Sequence, residues 1–151
     1  MPDVVDRQTR SRMMSGIRGK DTKPEITVRK GLHARGFRYR LHDKTVAGKP
    51  DLILPRYRAA IFVHGCFWHQ HGCHLFKMPS TRREFWMEKL AANRKRDAKV
   101  RTALLNSGWR ILTIWECALK GRTRLEFSDV IDVASAWITG QEIEGEVAGG
   151  Q

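Results

Sequence analysis

Residues Arg58–His64 read RAAIFVH, a near-continuous apolar run that ends on a histidine. A run of that length without alternation describes a strand covered on both faces. On its N-terminal side, Asp51–Leu54 is a second short strand, closed by Pro55 and preceded by the turn Ala47-Gly48-Lys49-Pro50. Before that turn, Phe37–His42 alternates apolar and polar residues, the pattern of a half-exposed strand. Thr22 followed by Glu25 forms a capping box, and Pro24 suits a first helical turn. The helix they open runs to about Arg35, with Gly36 as its stop.

On the C-terminal side, Gly65–Pro79 is irregular and rich in Cys, His and aromatic residues. Thr81 with Glu84 is a second capping box and opens a long helix to about Asn106, ahead of Gly108. Trp109–Trp115, WRILTIW, is another buried strand. Ser128 caps a last helix carrying Val130, Ile131, Val133, Ala134, Trp137 and Ile138. The resulting order is helix, three strands, helix, strand, helix. It implies an α/β fold with a mixed β-sheet flanked by helices on both faces. Residues 1–20 form a polar, basic segment, residues 21–140 the folded domain, and the acidic, Gly-rich residues 141–151 a flexible tail.

The chain has 151 residues, enough for one domain with its own core. Lys and Arg total 28 against 16 acidic residues, a formal charge of +12. Such an excess favours a polyanionic partner, and nucleic acid is the commonest one. No apolar run is long enough to span a bilayer, and MPDVVDRQTR has no apolar signal core, so a cytoplasmic location is expected. The three cysteines, Cys66, Cys73 and Cys117, argue for thiolate ligation or inert core thiols over a disulfide framework.

Cys66, His71 and Cys73 fall in one short loop, and Cys117 follows the WRILTIW strand. Together they suit a closed tetrahedral Cys3His zinc site that holds the loop to the sheet and does no chemistry. His74 competes with His71 on spacing. Asp51, at the start of a strand beside the one ending at His64, is a carboxylate on a rigid edge where a hard cation can sit. Glu25 offers a second carboxylate. His64 and His69 flank Gly65-Cys66-Phe67-Trp68, and either imidazole can take a proton from water. Asp97 on the long helix can orient one of them, although Arg94, Lys95, Arg96 and Lys99 also give it ordinary ion-pair partners. Phe67, Trp68 and Trp86 can wedge between base pairs, or can simply cover the loop as a small core.

The stretch Phe62–His69, FVHGCFWH, with His71 and Cys73, resembles the signature of the very-short-patch repair (Vsr) endonucleases. The resemblance extends through Thr9-Arg10-Ser11, Asp21-Thr22 with Glu25, Gly48–Asp51, Phe76-Lys77, Glu84–Trp86, Gly108-Trp109 and Trp115–Leu119. It covers the chain to about residue 140. It implies a restriction-endonuclease-like fold and a Mg-dependent enzyme that nicks one DNA strand 5′ of the thymine in a T·G mismatch. Such mismatches arise from deamination of 5-methylcytosine, and the nick, which leaves a 5′-phosphate, starts very-short-patch repair.

The resemblance also implies roles for individual positions. Asp51 and the main-chain carbonyl of Val63 bind magnesium, and Glu25 holds water on the metal. His69 is the general base with Asp97 behind it, and His64 assists at the phosphate. Cys66, His71, Cys73 and Cys117 bind zinc. Phe67, Trp68 and Trp86 intercalate beside the mismatch, while Met14 and Ile17 lie against the minor groove. Mismatch-repair proteins are implied partners, and one active centre per nick implies a monomer.

Two departures qualify the match. Position 63 is often threonine in the family and is Val63 here. The wider nuclease group usually has a carboxylate and a lysine on the strand after the aspartate, where this chain has Val63 and Gly65. The second departure is shared with the Vsr enzymes. A zinc-stabilised DNA-binding module without catalysis, and a nuclease of the same fold with another target, are the competing readings.

Overall fold

The computed structural model describes residues 22–150. Met14, Ile17 and the rest of the N-terminal segment lie outside the described residues. Five strands form one mixed sheet in the order β1-β2-β3-β4-β5: Arg40–Leu41, Leu52–Leu54, Ala59–His64, Arg110–Trp115 and Glu144–Val147. β1/β2 and β2/β3 are antiparallel, whereas β3/β4 and β4/β5 are parallel. Among the described residues three α-helices flank the sheet: α1 Lys23–Ala34, α2 Arg83–Asn106 and α3 Phe127–Thr139.

Strand periodicity divides the core in two. Leu52, Leu54, Ala59, Ile61, Val63, Leu112 and Ile114 pack with Val28 and Leu32 of α1 and with Val130, Ile131, Ala134 and Ile138 of α3. The intervening Ile53, Ala60 and Ile111 pack with Leu104, Val100 and Leu105 around α2. β2, β3 and β4 are thus covered on both faces, which is why their sequences run apolar without alternation. α2 buries only Leu90 and Leu104, so its polar side is left to line a cleft under β3, β4 and β5. No helix among the described residues is long and apolar enough to cross a membrane.

α1 begins as its sequence predicts, with the Thr22 hydroxyl accepting from the Glu25 N–H at 3.4 Å. Three local expectations differ. The strand expected over residues 37–42 pairs only at Arg40–Leu41, because its partner β2 is short and ends at Pro55, which has no N–H to give. The Thr81 capping box does not form: Arg82 takes the cap position in a left-handed conformation, with its guanidinium 4.3 Å over the Phe85 ring. α3 starts at Phe127, capped by Glu126, so Ser128 lies inside the first turn.

The flexible tail is the main correction. Glu144–Val147 is the fifth strand, in parallel register with Ile111–Ile114 of β4. Val147 is buried. The acidic residues that read as a solvated tail have partners: Glu144 accepts a fork from Arg101 of α2, and Glu146 accepts from Trp115 Nε1 at 2.9 Å. Gly145 permits close approach, since a Cβ there would stand 2.6 Å from the Trp137 ring. That indole is buried and covered by the Arg110 guanidinium at 4.3 Å, so it cannot easily retreat.

Gly145→Ala is therefore expected to destabilise the fold by about 1–3 kcal/mol through overpacking, read as a lower midpoint in urea unfolding. An unchanged midpoint would mean that β5 is not docked as described.

Candidate active site

The end of β3 organises the site. Val63 donates its backbone N–H to Asp51 Oδ2 at 2.6 Å. Within an antiparallel pair a residue's N–H and C=O face the same neighbouring strand, so the Val63 carbonyl faces the Asp51 side as well. Its isopropyl group points into the core with α1 and α3, away from that edge. Asp51 stands just before β2, and Glu25 reaches it from the first turn of α1. Glu25 is the one buried charged residue among the described residues, at 3% exposure. It meets Arg29 at 3.6 Å and His42 at 3.6 Å, and the ligand atoms of Glu25, His42 and Asp51 lie within 4.8 Å of one another.

Burial pushes the Asp51 carboxyl up to about 8, and the nearby Glu25 adds to the rise, while the Val63 N–H and the Arg29 charge pull the other way. Two carboxylates gathered at a buried edge repel each other. A divalent cation removes that repulsion, and the oxygen-rich donor set is the kind that hard cations take.

One residue further along β3, His64 points to the α2 face. Its ring stacks on His69 with centroids 3.7 Å apart and planes 4° from parallel. Burial, with the His69 charge as a second cause, lowers the His64 pKa to about 3, so this ring is neutral at physiological pH. His69 Nδ1 lies 2.6 Å from Asp97 Oδ2 on α2. A carboxylate there fixes Nδ1 as the protonated nitrogen and leaves Nε2 as the acceptor. The two rings differ in their partners: His69 bonds the Asp97 carboxylate, and His64 stacks on His69. The Gly65–Cys73 segment is turned back on itself, with His69 N–H on the Gly65 carbonyl and His71 N–H on the Cys66 carbonyl.

The same turns gather Cys66, His71 and Cys73 with Cys117. His71 Nδ1 is 3.5 Å from Cys66 Sγ and 3.6 Å from Cys117 Sγ. Burial lowers the His71 pKa, which keeps the ring neutral as a metal ligand must be. This cluster can hold a metal ion. His74 is excluded from it and faces Thr123 Oγ1 at 3.3 Å. Trp115 joins this centre to the histidine pair: its indole stacks on His71 at 4.0 Å and meets His64 edge-on at 5.3 Å.

Phe67, Trp68 and Trp86 form a half-buried aromatic cluster, with centroids 5.2 to 5.8 Å apart. Asn93 of α2 donates to the Trp68 carbonyl at 3.2 Å. The sequence reading named most of these positions but not His42, Arg29, Asn93 or Trp115. His42 had a signal in the register: Leu41 faces Leu52, so the next pair across the hairpin is His42 and Asp51.

Comparisons with known proteins bear on the family of the chain. The family model described as "DNA mismatch endonuclease Vsr" matches residues 2–75. The chain is 42% identical over 147 residues to the DNA mismatch endonuclease Vsr of Escherichia coli K12, covering 97% of this chain and 94% of that protein. It is 43% identical over 126 residues to the type II nicking enzyme V.XorIIP of Xanthomonas oryzae pv. oryzae, covering 83% and 93% of the two chains. A similar relation, 43% over 122 residues with 81% and 87% covered, holds for the type II nicking enzyme V.NmeAIP of Neisseria meningitidis.

The Asp51 environment has a pH consequence. Its folded carboxyl is raised, so below about pH 8 a cation must displace a proton to bind. Magnesium affinity measured calorimetrically is expected to rise with pH and to level off above about 8. In magnesium-free buffer the sign for stability is opposite. Between the ordinary carboxylate pKa of 3.8 and about 8 the folded state holds a proton that the unfolded chain has lost, so stability falls as pH rises. Asp51→Asn should flatten both profiles, and a variant that keeps the wild-type slopes would assign them to another group.

Proposed function

The chain belongs to the family of Vsr DNA mismatch endonucleases, and on that premise we propose that it is a Mg-dependent, strand-specific nickase. Its target is the phosphodiester 5′ of the thymine in T·G mismatches left by deamination of 5-methylcytosine. A nuclease that acts on DNA needs a charge-neutralising group at the phosphate, a base for water and a way to find its site. The observation that carries the reading is the pair of adjacent residues on β3: residue 63 bonds Asp51, and residue 64 stacks on the His69–Asp97 pair. A cation-holding edge and a proton acceptor are thus one peptide apart.

Asp51 and the Val63 carbonyl would hold magnesium, with Glu25 close by, and the ion when bound neutralises phosphate charge as a Lewis acid. His69 Nε2 takes the proton of the attacking water, and Asp97 stabilises the imidazolium that forms. The water oxygen bonds to phosphorus as the bond to the 3′-oxygen breaks, and the 3′-oxygen takes a proton from solvent while His69 later returns its own to solvent, leaving a 5′-phosphate and a 3′-hydroxyl. His64, neutral throughout, is placed to donate a hydrogen bond to the phosphate. Because Val63 meets Asp51 through its backbone, the loss of the threonine common at this position is tolerated.

Phe67, Trp68 and Trp86 serve as the intercalating wedge. Unstacking costs a few kcal/mol and less at a weak T·G step, so insertion itself discriminates. The charge of +12 supplies phosphate contacts of no sequence preference. Met14 and Ile17 complete the grip from the minor groove. The fold is of the restriction-endonuclease type, and the protein acts as a cytoplasmic monomer that hands the nick to mismatch-repair proteins. The second metal centre holds structural zinc. Zn–S bonds of about 2.3 Å and Zn–N bonds of about 2.0 Å in a tetrahedron give sulfur–nitrogen edges of about 3.5 Å, which matches the 3.5 and 3.6 Å found.

With magnesium and a T·G duplex, single-strand cleavage is expected. Asp51→Ala should abolish it while duplex binding, read by mobility shift, survives. Trp68→Ala should keep the fold but lose preference for T·G over matched duplex. Undiminished cleavage by Asp51→Ala would remove the carboxylate from the mechanism, and undiminished discrimination by Trp68→Ala would remove the wedge.

One zinc per chain is expected by metal analysis. Cys117→Ser should lose the zinc and lower the melting temperature by several degrees.

A further inference from the structure

We infer that His42 is a third protein ligand at the Asp51–Glu25 cation site, making it a mixed carboxylate–imidazole centre that favours manganese over magnesium. The inference rests on the reading of that pair as the cation site and extends it to a residue with no role so far.

Two observations carry it. The hairpin register Arg40↔Ile53 and Leu41↔Leu52 brings residue 42 opposite residue 51. His42 has φ +47°, a left-handed backbone that histidine, like asparagine and aspartate, adopts more readily than most residues. The ring is largely buried, and its Nε2 lies 3.6 Å from Glu25 Oε2, with a nitrogen of the ring, a Glu25 oxygen and an Asp51 oxygen all within 4.8 Å of one another. Three ligands about 2.1 Å from one ion span at most about 4.2 Å, so small side-chain adjustments bring the three atoms onto a common centre.

The chemistry of the donor set sets the preference. Magnesium is a hard ion that takes oxygen and keeps its waters. Imidazole suits the later divalent metals better, and manganese accepts both nitrogen and oxygen. A histidine in place of one oxygen donor therefore strengthens manganese binding relative to magnesium. Replacing His42 with an oxygen donor should restore the hard-ion preference.

The test is electron spin-echo spectroscopy of Mn2+ bound to the full-length, zinc-loaded protein, with affinities for Mn2+ and Mg2+ measured in parallel by calorimetry. His42→Asn is the variant of choice, because asparagine tolerates a left-handed backbone. Wild-type protein should show nitrogen modulation from a directly bound imidazole, and labelling histidine with 15N should alter it. In His42→Asn that modulation should vanish and the ratio of Mn2+ to Mg2+ affinity should fall about tenfold, within the range seen when groups around a metal are changed. Wild-type protein that binds Mn2+ without nitrogen modulation overturns the inference. So does modulation that survives in His42→Asn but is lost in His64→Asn. Those outcomes leave the cation site itself intact as long as Asp51→Asn loses Mn2+. Mn2+ binding that is indifferent to Asp51→Asn would overturn the site reading along with this one.

Discussion

The hydrogen bond from the Val63 N–H to Asp51 is the contact on which the arrangement turns. It ties the buried strand β3 to the carboxylate before β2. Because successive residues on a strand face opposite ways, it also fixes what His64 can meet. Val63 gives its side chain to the core beneath α1 and α3 and its backbone to the acidic edge, and His64 crosses to the α2 face. A shift of one residue in the register of β3 would exchange those faces and put an imidazole in the core. The covering of both sides of β3 by helices is what makes that slip costly.

Much of this was legible in the sequence, and the reasons are local. RAAIFVH and WRILTIW are strands because their centres are apolar on both faces, and the structure places them side by side in parallel. Thr22 does cap its helix. The thiol and imidazole cluster was visible as spacing, although only the fold could rule out His74, which turns toward Thr123 instead. Two of the misreadings share a cause. The β1 pairing and the docking of β5 are decided by partners elsewhere in the chain, whereas the left-handed cap at Arg82 is a local choice beside Phe85. Composition describes a segment such as 141–151 by what it would do alone. An acidic, Gly-rich segment reads as a flexible tail, but Glu144 and Glu146 accept from Arg101 and Trp115, which only the assembled sheet supplies.

His42 was missed for a related reason. It closed a strand prediction and so looked finished. Its significance comes from the hairpin that returns to Asp51, and from Glu25 arriving across both from α1. Glu25 was itself given two roles by its sequence, helix cap and acidic ligand. The structure divides the residue: its backbone N–H serves the cap, and its carboxylate lies beside His42 and Asp51.

The thiol and imidazole cluster also ties distant parts of the chain together. Its side chains come from residues 66–73 and from Cys117, and the Cys117 sulfur further accepts the N–H of Gly149 at 3.2 Å. Trp115, between that cluster and the stacked imidazoles, donates to Glu146. Groups from the middle of the chain are thus braced by residues near its far end, so loosening β5 would be felt at both clusters.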